Sequence, residues 1–244
     1  MHKFFVPAQT IVQDKINILN ADQIHHLQVV LRLKVGDVVN VFDGVGNEYR
    51  AKIDKMSLDS IELTIQEKRS AVYAKKYFVT IACAIPKKTS MDDIIDKLTQ
   101  LGVDRIIPLM TERVIVKFDQ QKALLRKKRW EKIALNAAQQ SQRVNLPNID
   151  SVKKINEVLS EARDFDLKLI PTILGERKTI KEILMQVQAR KILVLIGPEG
   201  DFTPTEVEAA KKAGFISISL GETILRVDTA AVAVASFIRF YEDN

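Results

Sequence analysis

Two stretches in the C-terminal half of the chain combine residue types that could do chemistry. Leu195-Ile-Gly-Pro-Glu-Gly-Asp-Phe-Thr203 carries two glycines, a stiff proline and two acids. Leu220-Gly-Glu-Thr-Ile-Leu-Arg-Val-Asp-Thr-Ala230 carries Gly221, the cation Arg226 and the acid Asp228. Gly197 and Gly200 let a backbone approach a ligand closely or take positive φ, and Pro198 stiffens the turn. A placed carboxylate can accept a proton, and a guanidinium can stabilise the anion that forms. Either stretch alone would also suit an ordinary loop. Several other chemistries lack their residues. The sequence has no Walker A loop, no HExxH and no Gly-x-Ser-x-Gly elbow. His2, His25 and His26 have no cysteine or carboxylate cluster at ligand spacing, so no metal is expected. Asp43-Gly-Val-Gly46 resembles a nucleotide loop but is followed by strand alternation instead of a helix, and reads as a hairpin turn.

Both stretches need elements to hold them. Lys191–Ile196 is a buried-type strand, and Thr203-Pro204-Thr205-Glu206 has the cap, first-turn proline and returning acid of a helix start. The first stretch therefore lies at the carboxyl end of a strand, where open α/β sheets bind ligands. The second leaves the strand Ile216–Leu220 and enters a final helix, Thr229–Tyr241. Tyr77–Ala84, Arg105–Leu109 and Asp166–Ile170 read as further strands. Helical spacing recurs at Met91–Leu101, at Trp130–Ala138, and over Val152–Ala162, Ile180–Val187 and Pro204–Lys212. Alternating strand and helix predicts a mostly parallel sheet covered on both faces. The first 70 residues differ. Val39, Val41, Tyr49, Ala51 and Ile53 alternate around the Asp43 turn, and Ser60–Ile65 alternates again, which predicts a small β-barrel with one helical turn near Asp22–Leu31. Gln66–Lys76 reads as the linker. The final helix is apolar nearly all round, with a charge only at Arg239, which predicts burial on every side and a partner subunit as cover.

Composition sets the wider limits. Of 244 residues, 46% are hydrophobic and 28% charged, values that suit a globular chain and exclude a disordered one. A single cysteine, Cys83, excludes an intramolecular disulfide and fits a reducing compartment. No apolar run reaches the roughly 18 residues of a membrane span, and the N-terminal apolar stretch is too short for a secretory signal. A cytoplasmic protein is the expectation. The net charge is +6, and Glu112–Arg143 alone holds nine basic residues against three acidic ones. That segment therefore carries the whole excess, the footprint of a polyanion binder or a solvated helix face.

The two loop stretches, Gly197-Pro-Glu-Gly200…Phe202-Thr203…Glu206-Val207 and Leu220-Gly221…Ile224-Leu225-Arg226…Thr229-Ala230, resemble the ribosomal small subunit methyltransferase E family. The resemblance runs the full length. It includes Phe4-Phe5-Val6, His25-His26-Leu27…Val30-Leu31-Arg32, Gly36-Asp37, Lys97-Leu98…Leu101-Gly102-Val103, Pro108-Leu109 and Thr111-Glu112-Arg113. Lys128-Arg129-Trp130…Ala137-Ala138…Gln140-Ser141…Arg143 continues it. The family implies an α/β fold with a C-terminal SPOUT trefoil-knotted parallel-sheet domain, here residues 77–244. A small N-terminal PUA-like β-barrel domain for RNA would occupy residues 1–70. The implied activity is methylation of N3 of a uridine in 16S rRNA of the small ribosomal subunit, with S-adenosyl-L-methionine as cofactor and the enzyme a homodimer.

On that resemblance the cofactor would sit among Ile170, Pro171 and Thr172; Ile196, Gly197, Pro198, Glu199 and Gly200; and Leu220, Gly221, Ile224, Leu225, Arg226, Thr229 and Ala230. Methyl transfer to a ring nitrogen needs an acceptor for the imide proton, Glu199 first and Asp228 second, with Arg226 to stabilise the anion. Glu199 could instead orient the loop, and Asp228 could cap the last helix. RNA-contact candidates are His25, His26, Arg32, Arg113, Arg126, Lys127, Lys128, Arg129 and Arg143. Trp130 reads as core or as a stacking platform. The family usually has Gly at 201, Arg at 223 and Glu at 228, where this chain has Asp201, Thr223 and Asp228. Those changes motivate one alternative, an RNA-binding ribosome-assembly factor without catalysis; a second alternative is a SPOUT enzyme acting on another RNA or position.

Overall fold

The computed structural model describes residues 3–70, 76–87, 91–114 and 120–242. Residues 71–75 of the expected linker, His2, and Lys117 and Asp119 of the basic segment lie outside the described residues. The chain divides into two compact units, residues 1–74 with 138–146, and residues 75–137 with 147–244.

The smaller unit contains β1 (Lys3–Phe5), β2 (Ile11–Val12), β3 (Lys15–Ile18), α1 (Ala21–His25) with a π-helical turn His26–Val30, β4 (Val38–Phe42), β5 (Asn47–Met56) and β6 (Ile61–Ser70). They form one sheet in the order β1-β4-β5-β6-β3-β2, antiparallel except for the β1–β4 pair. Alternate residues such as Val39, Val41, Ala51, Ile53, Ile61 and Leu63 are buried in one core with Ile24 and Leu27. The expected hairpin forms between β4 and β5. Its turn is organised by Asp43, only 4% exposed, whose carboxylate accepts from the Val45 and Asn47 amides at 2.9 and 3.0 Å, from Asn47 Nδ2 at 2.6 Å and from Tyr49 Oη at 3.2 Å. Burial would raise the Asp43 pKa, but these bonds, led by Asn47, hold it below the usual carboxylate value. The linker expectation is corrected at one end. Gln66–Ser70 continues β6, with Glu67–Ser70 paired back to Asn47–Arg50.

The larger unit contains β7 (Phe78–Ala84), α2 (Met91–Gln100), β8 (Arg105–Met110), α3 (Gln120–Gln140, whose end falls in the smaller unit), β9 (Asn148–Ile149), β10 (Lys153–Lys154), α4 (Ile155–Glu161), β11 (Leu167–Pro171), β12 (Lys178–Thr179), α5 (Ile180–Gln186), β13 (Lys191–Ile196), α6 (Pro204–Lys212), β14 (Ile216–Ser219) and α7 (Val227–Glu242). Its sheet runs β10-β8-β7-β13-β11-β14-β12, with β9 beside β8, and every pairing is parallel. The period-two alternation of strands sends neighbours to opposite faces. Ile192, Val194 and Ile196 of β13 pack with Ile94, Leu98, Ile183, Val234 and Ile238. Leu193 and Leu195 pack on the other face with Val158, Val207 and Ala210. Helices therefore cover both faces, as the alternation predicts.

The α6 start follows its sequence signature. Thr203 Oγ1 accepts from the Glu206 amide at 3.2 Å and Glu206 Oε2 accepts from the Thr203 amide at 2.9 Å. α7 begins two residues before the expected Thr229, because Val227 belongs to the core and the Arg226 carbonyl accepts from the Ala230 amide at 2.8 Å. Asp228 thus lies inside the first turn, where a negative charge favours the helix dipole, and is not the cap. Within the single chain this helix is only partly buried. Val227, Ala231, Val234, Ala235 and Ile238 are buried, whereas Phe237 is 36% and Phe240 62% exposed. No helix among the described residues is long and apolar enough to cross a membrane.

Candidate active site at the carboxyl ends of three strands

Because the sheet is parallel, the loops after β7, β8, β11, β13 and β14 leave from one edge. Those after β11, β13 and β14, which are neighbours, wall a cavity of about 270 Å³. That is close to the lower end of the roughly 300–1,000 Å³ typical of small-molecule sites. β13 and its loop contribute Ile196, Gly197, Pro198, Glu199 and Gly200. The segment after β14 contributes Leu220, Gly221, Ile224 and Leu225, with Ala230 from the first turns of α7. Pro171 and Thr172 close the β11 side.

Three of the expected cofactor residues lie elsewhere. Ile170 is fully buried in the opposite-face core, since the alternation along β11 turns it away. Arg226 and Thr229 are exposed and do not line the cavity, although Leu225, Val227 and Ala230 around them do. Ile173, Arg177, Asp201, Ile218, Thr223 and Val227 complete the wall without having been assigned to it. Arg177 is the cation among them, carried by a charged turn that looks like any other surface loop in the sequence.

The two glycines of the first stretch are not equivalent. A Cβ on Gly197 would meet the Phe202 ring at 3.1 Å and Asp201 Oδ1 at 3.2 Å, and Phe202 is fully buried. At Gly200 the nearest atom would be Arg113 Cδ at an ordinary 3.5 Å. Gly221 takes φ +112°, open to glycine and costly for other residues.

Polar groups hold the β13 loop on several sides. The Lys87 amide donates to Glu199 Oε1 at 2.8 Å. Glu206 Oε1 accepts from the Glu112 amide at 2.9 Å, which ties α6 to the turn after β8. From that turn Arg113 donates to the Gly200 carbonyl. Arg113, one of the RNA-contact candidates, is exposed and braces the loop through this bond. Asp228 Oδ1 is buried without a hydrogen-bond partner among the described residues, an uncommon condition for a carboxylate oxygen. Burial, with added repulsion from Asp228 and Glu199, pushes the Cys83 thiol far above its ordinary pKa, so this cysteine is an inert core residue. Among the described residues no group of three or more His, Cys, Asp or Glu could hold a metal.

The other RNA candidates divide between the two units. In the smaller one His25 and Arg32 are exposed, Arg32 at φ +54°, while His26 is half-buried with its ring 6.1 Å from that of Phe4. Arg143 is half-buried, with one guanidinium nitrogen shielded from solvent. In the larger one Arg126 and Lys128 are exposed, and Lys127 lies 3.8 Å from Glu131. Arg129 is ion-paired to Asp92 at 2.6 Å, and the same carboxylate accepts from Trp130 Nε1 at 3.1 Å. Trp130 is 1% exposed, which settles it as core.

Residues 74–239 match the RNA methyltransferase domain family. The chain belongs to that family. Residues 19–66 match the RNA methyltransferase PUA domain. Among relatives of this RNA methyltransferase, ribosomal RNA small subunit methyltransferase E of Bacillus subtilis is 29% identical over 247 residues, covering 98% of this chain and 96% of that one. The enzyme of the same name from Mesomycoplasma hyopneumoniae is 33% identical over 234 residues, covering 95% and 96%. The crystal structure of ribosomal RNA small subunit methyltransferase E from Neisseria gonorrhoeae bound to S-adenosyl methionine superposes with a TM-score of 0.84 at 27% identity, over 99% of this chain and 98% of that one.

Proposed function

We propose that this RNA methyltransferase uses S-adenosyl-L-methionine to methylate N3 of a uridine in 16S rRNA, in the cytoplasm and as a homodimer. The observation that carries the reading is the cavity built by three neighbouring strand-end loops, in a chain whose full-length relatives are named as small-subunit rRNA methyltransferases. Family membership also carries the expectation of a trefoil knot in residues 77–244 and of an RNA-binding role for residues 1–70. The half-exposed aromatic face of α7, with Phe237 stacked 6.2 Å from Tyr241, supports the homodimer.

The residues present fit the cofactor. Glycine at 197 leaves room for the buried Phe202 ring behind the loop, the apolar side chains of Ile196, Leu220, Ile224 and Leu225 suit a flat ring, and backbone carbonyls and amides at the strand ends offer fixed partners. When bound, S-adenosylmethionine supplies an electrophilic methyl group on a sulfonium. The chain must then align a uracil with that group, accept the N3 proton and stabilise charge on the carbonyl oxygens. Glu199 lines the cavity with its orientation fixed by the Lys87 amide, and serves as the proton acceptor. Asp228, in the first turn of α7, is the second candidate for that role, and Arg226 supplies the guanidinium.

Calorimetry tests the reading through the two glycines. The wild-type chain and Gly200→Ala should bind S-adenosylmethionine, while Gly197→Ala should bind it at least about tenfold more weakly, since its methyl group must displace a buried ring. A wild-type chain that binds none would contradict the proposal. The basic segment gives a separate expectation for RNA. Replacing Arg126, Lys127 and Lys128 with Gln should flatten the log affinity–log salt slope by up to about three units, at roughly 0.7–0.9 per phosphate contact. Arg129→Gln should move it less, because Asp92 already holds that guanidinium. An unchanged slope in the triple variant would make the segment a solvated face.

A further inference from the structure

Asp201 has φ +59°, the left-handed region that few residues other than glycine adopt. An aspartate tolerates it when its short side chain can bond locally. Here Oδ1 accepts from the amide of the next residue, Phe202, at 2.8 Å. The other oxygen reaches across to the neighbouring loop. Oδ2 accepts from Thr172 Oγ1 at 2.9 Å and from the Ile173 amide at 3.0 Å. Thr172 is 6% exposed, and its hydroxyl in turn accepts from the Leu174 amide at 3.1 Å. One carboxylate therefore joins the segment after β11 to the loop after β13, and both line the cavity.

We propose that Asp201 is a positioning residue, a clip that fixes the separation of two adjoining walls of the cofactor cavity before ligand arrives. The inference rests on the S-adenosylmethionine reading given above. Its physical basis is preorganisation, since a site whose loops are already ordered spends less of its interaction energy on ordering them. Charge-assisted bonds to the Thr172 hydroxyl and to two amides are stronger than neutral ones, and they act where the loops have few apolar anchors beyond Phe202. Arg113, on the Gly200 carbonyl, holds the same loop from the side of β8.

Three variants test it. Asp201→Gly removes the carboxylate while keeping a backbone that adopts positive φ without strain, so the chain should still fold, at a lower melting temperature because the buried Thr172 hydroxyl loses its acceptor. Its Kd for S-adenosylmethionine should rise about tenfold, and KM for the same donor should rise while kcat changes little. Asp201→Asn keeps one acceptor oxygen and should fall between. Thr172→Val breaks the clip from the other side. Combined with Asp201→Gly, it should weaken binding by less than the product of the two single effects, because the Thr172–Asp201 bond is lost in both. Amide exchange reads the clip without ligand, and the Ile173 and Phe202 amides should lose protection in Asp201→Gly. An unchanged Kd in Asp201→Gly, fully multiplicative effects in the double variant, or unchanged exchange would overturn the inference. Protected amides in a wild-type chain that binds no S-adenosylmethionine would instead overturn the cofactor reading.

Discussion

Arg226→Lys should lower single-turnover methylation by roughly 10²-fold or more while leaving S-adenosylmethionine affinity nearly unchanged. The backbone at this position is fixed, since the Arg226 carbonyl accepts the Ala230 amide at the head of α7. Its side chain is exposed beside the cavity wall formed by Leu225 and Val227, outside the cavity lining itself. A guanidinium placed there offers a planar fork of donors to a uracil carbonyl as N3 loses its proton, and lysine keeps the charge but loses the fork. A sulfonium gains nothing from a neighbouring cation, so cofactor binding should be spared. A near-normal rate would remove Arg226 from the chemistry. A parallel loss of cofactor affinity would make it a binding residue instead.

The second large effect is expected at Glu199. Glu199→Gln preserves shape and can still accept from the Lys87 amide, but it cannot take a proton at neutral pH. A general base contributes about 10²–10⁴-fold, so turnover should fall by that order near pH 7. The defect should shrink as pH rises toward the range where the uridine N3 proton leaves unaided. Rates measured across pH for this variant and for Asp228→Asn separate the two carboxylates. If only Asp228→Asn shows recovery at alkaline pH, the buried oxygen of Asp228 is the acceptor and Glu199 is an orienting group. A pH-independent defect in both would leave proximity as the catalytic device.

What the sequence made visible was mostly local. The capping box at Thr203–Glu206 needs four residues and can be read from four. The five longer strands of the larger unit, β7, β8, β11, β13 and β14, announce themselves as apolar runs because both faces are covered, whereas the two-residue strands β9, β10 and β12 leave no such signal. Where only part of a strand is buried, the signal stops early. The charged end of β6 carries no apolar alternation, yet it still pairs with β5, so Gln66–Ser70 looks like a linker. The start of α7 was obscured in the same way, since Val227 is a loop residue by pattern and a core residue by position.

Long-range partners were the harder part of the site. Arg113 and Arg129 belong to a basic run, and nothing adjacent in the chain says that one meets Gly200, 87 residues on, or the other Asp92, 37 residues before. Their contacts depend on strand order, which brings the ends of β7, β8 and β13 together. The Asp201–Thr172 bond likewise requires β11 to lie beside β13. From the sequence Asp201 registered only as a departure from the glycine usual in the family. In the fold it is a ligand for three donors, already partnered before any cofactor arrives. The cavity itself was largely legible, because two of its three walls coincide with the two glycine-bearing stretches after β13 and β14.

The central claim is a methyl transfer from S-adenosylmethionine to a uridine N3 of small-subunit rRNA. The most direct measurement incubates the purified chain with methyl-labelled S-adenosylmethionine and small-subunit particles or their rRNA from a strain lacking it, then maps the label by nuclease digestion and mass spectrometry. The predicted result is label on N3 of one uridine in 16S rRNA, lost in Arg226→Lys and Glu199→Gln at neutral pH. Label on another base or ring position, or no transfer by a wild-type chain that binds both substrates, would contradict it.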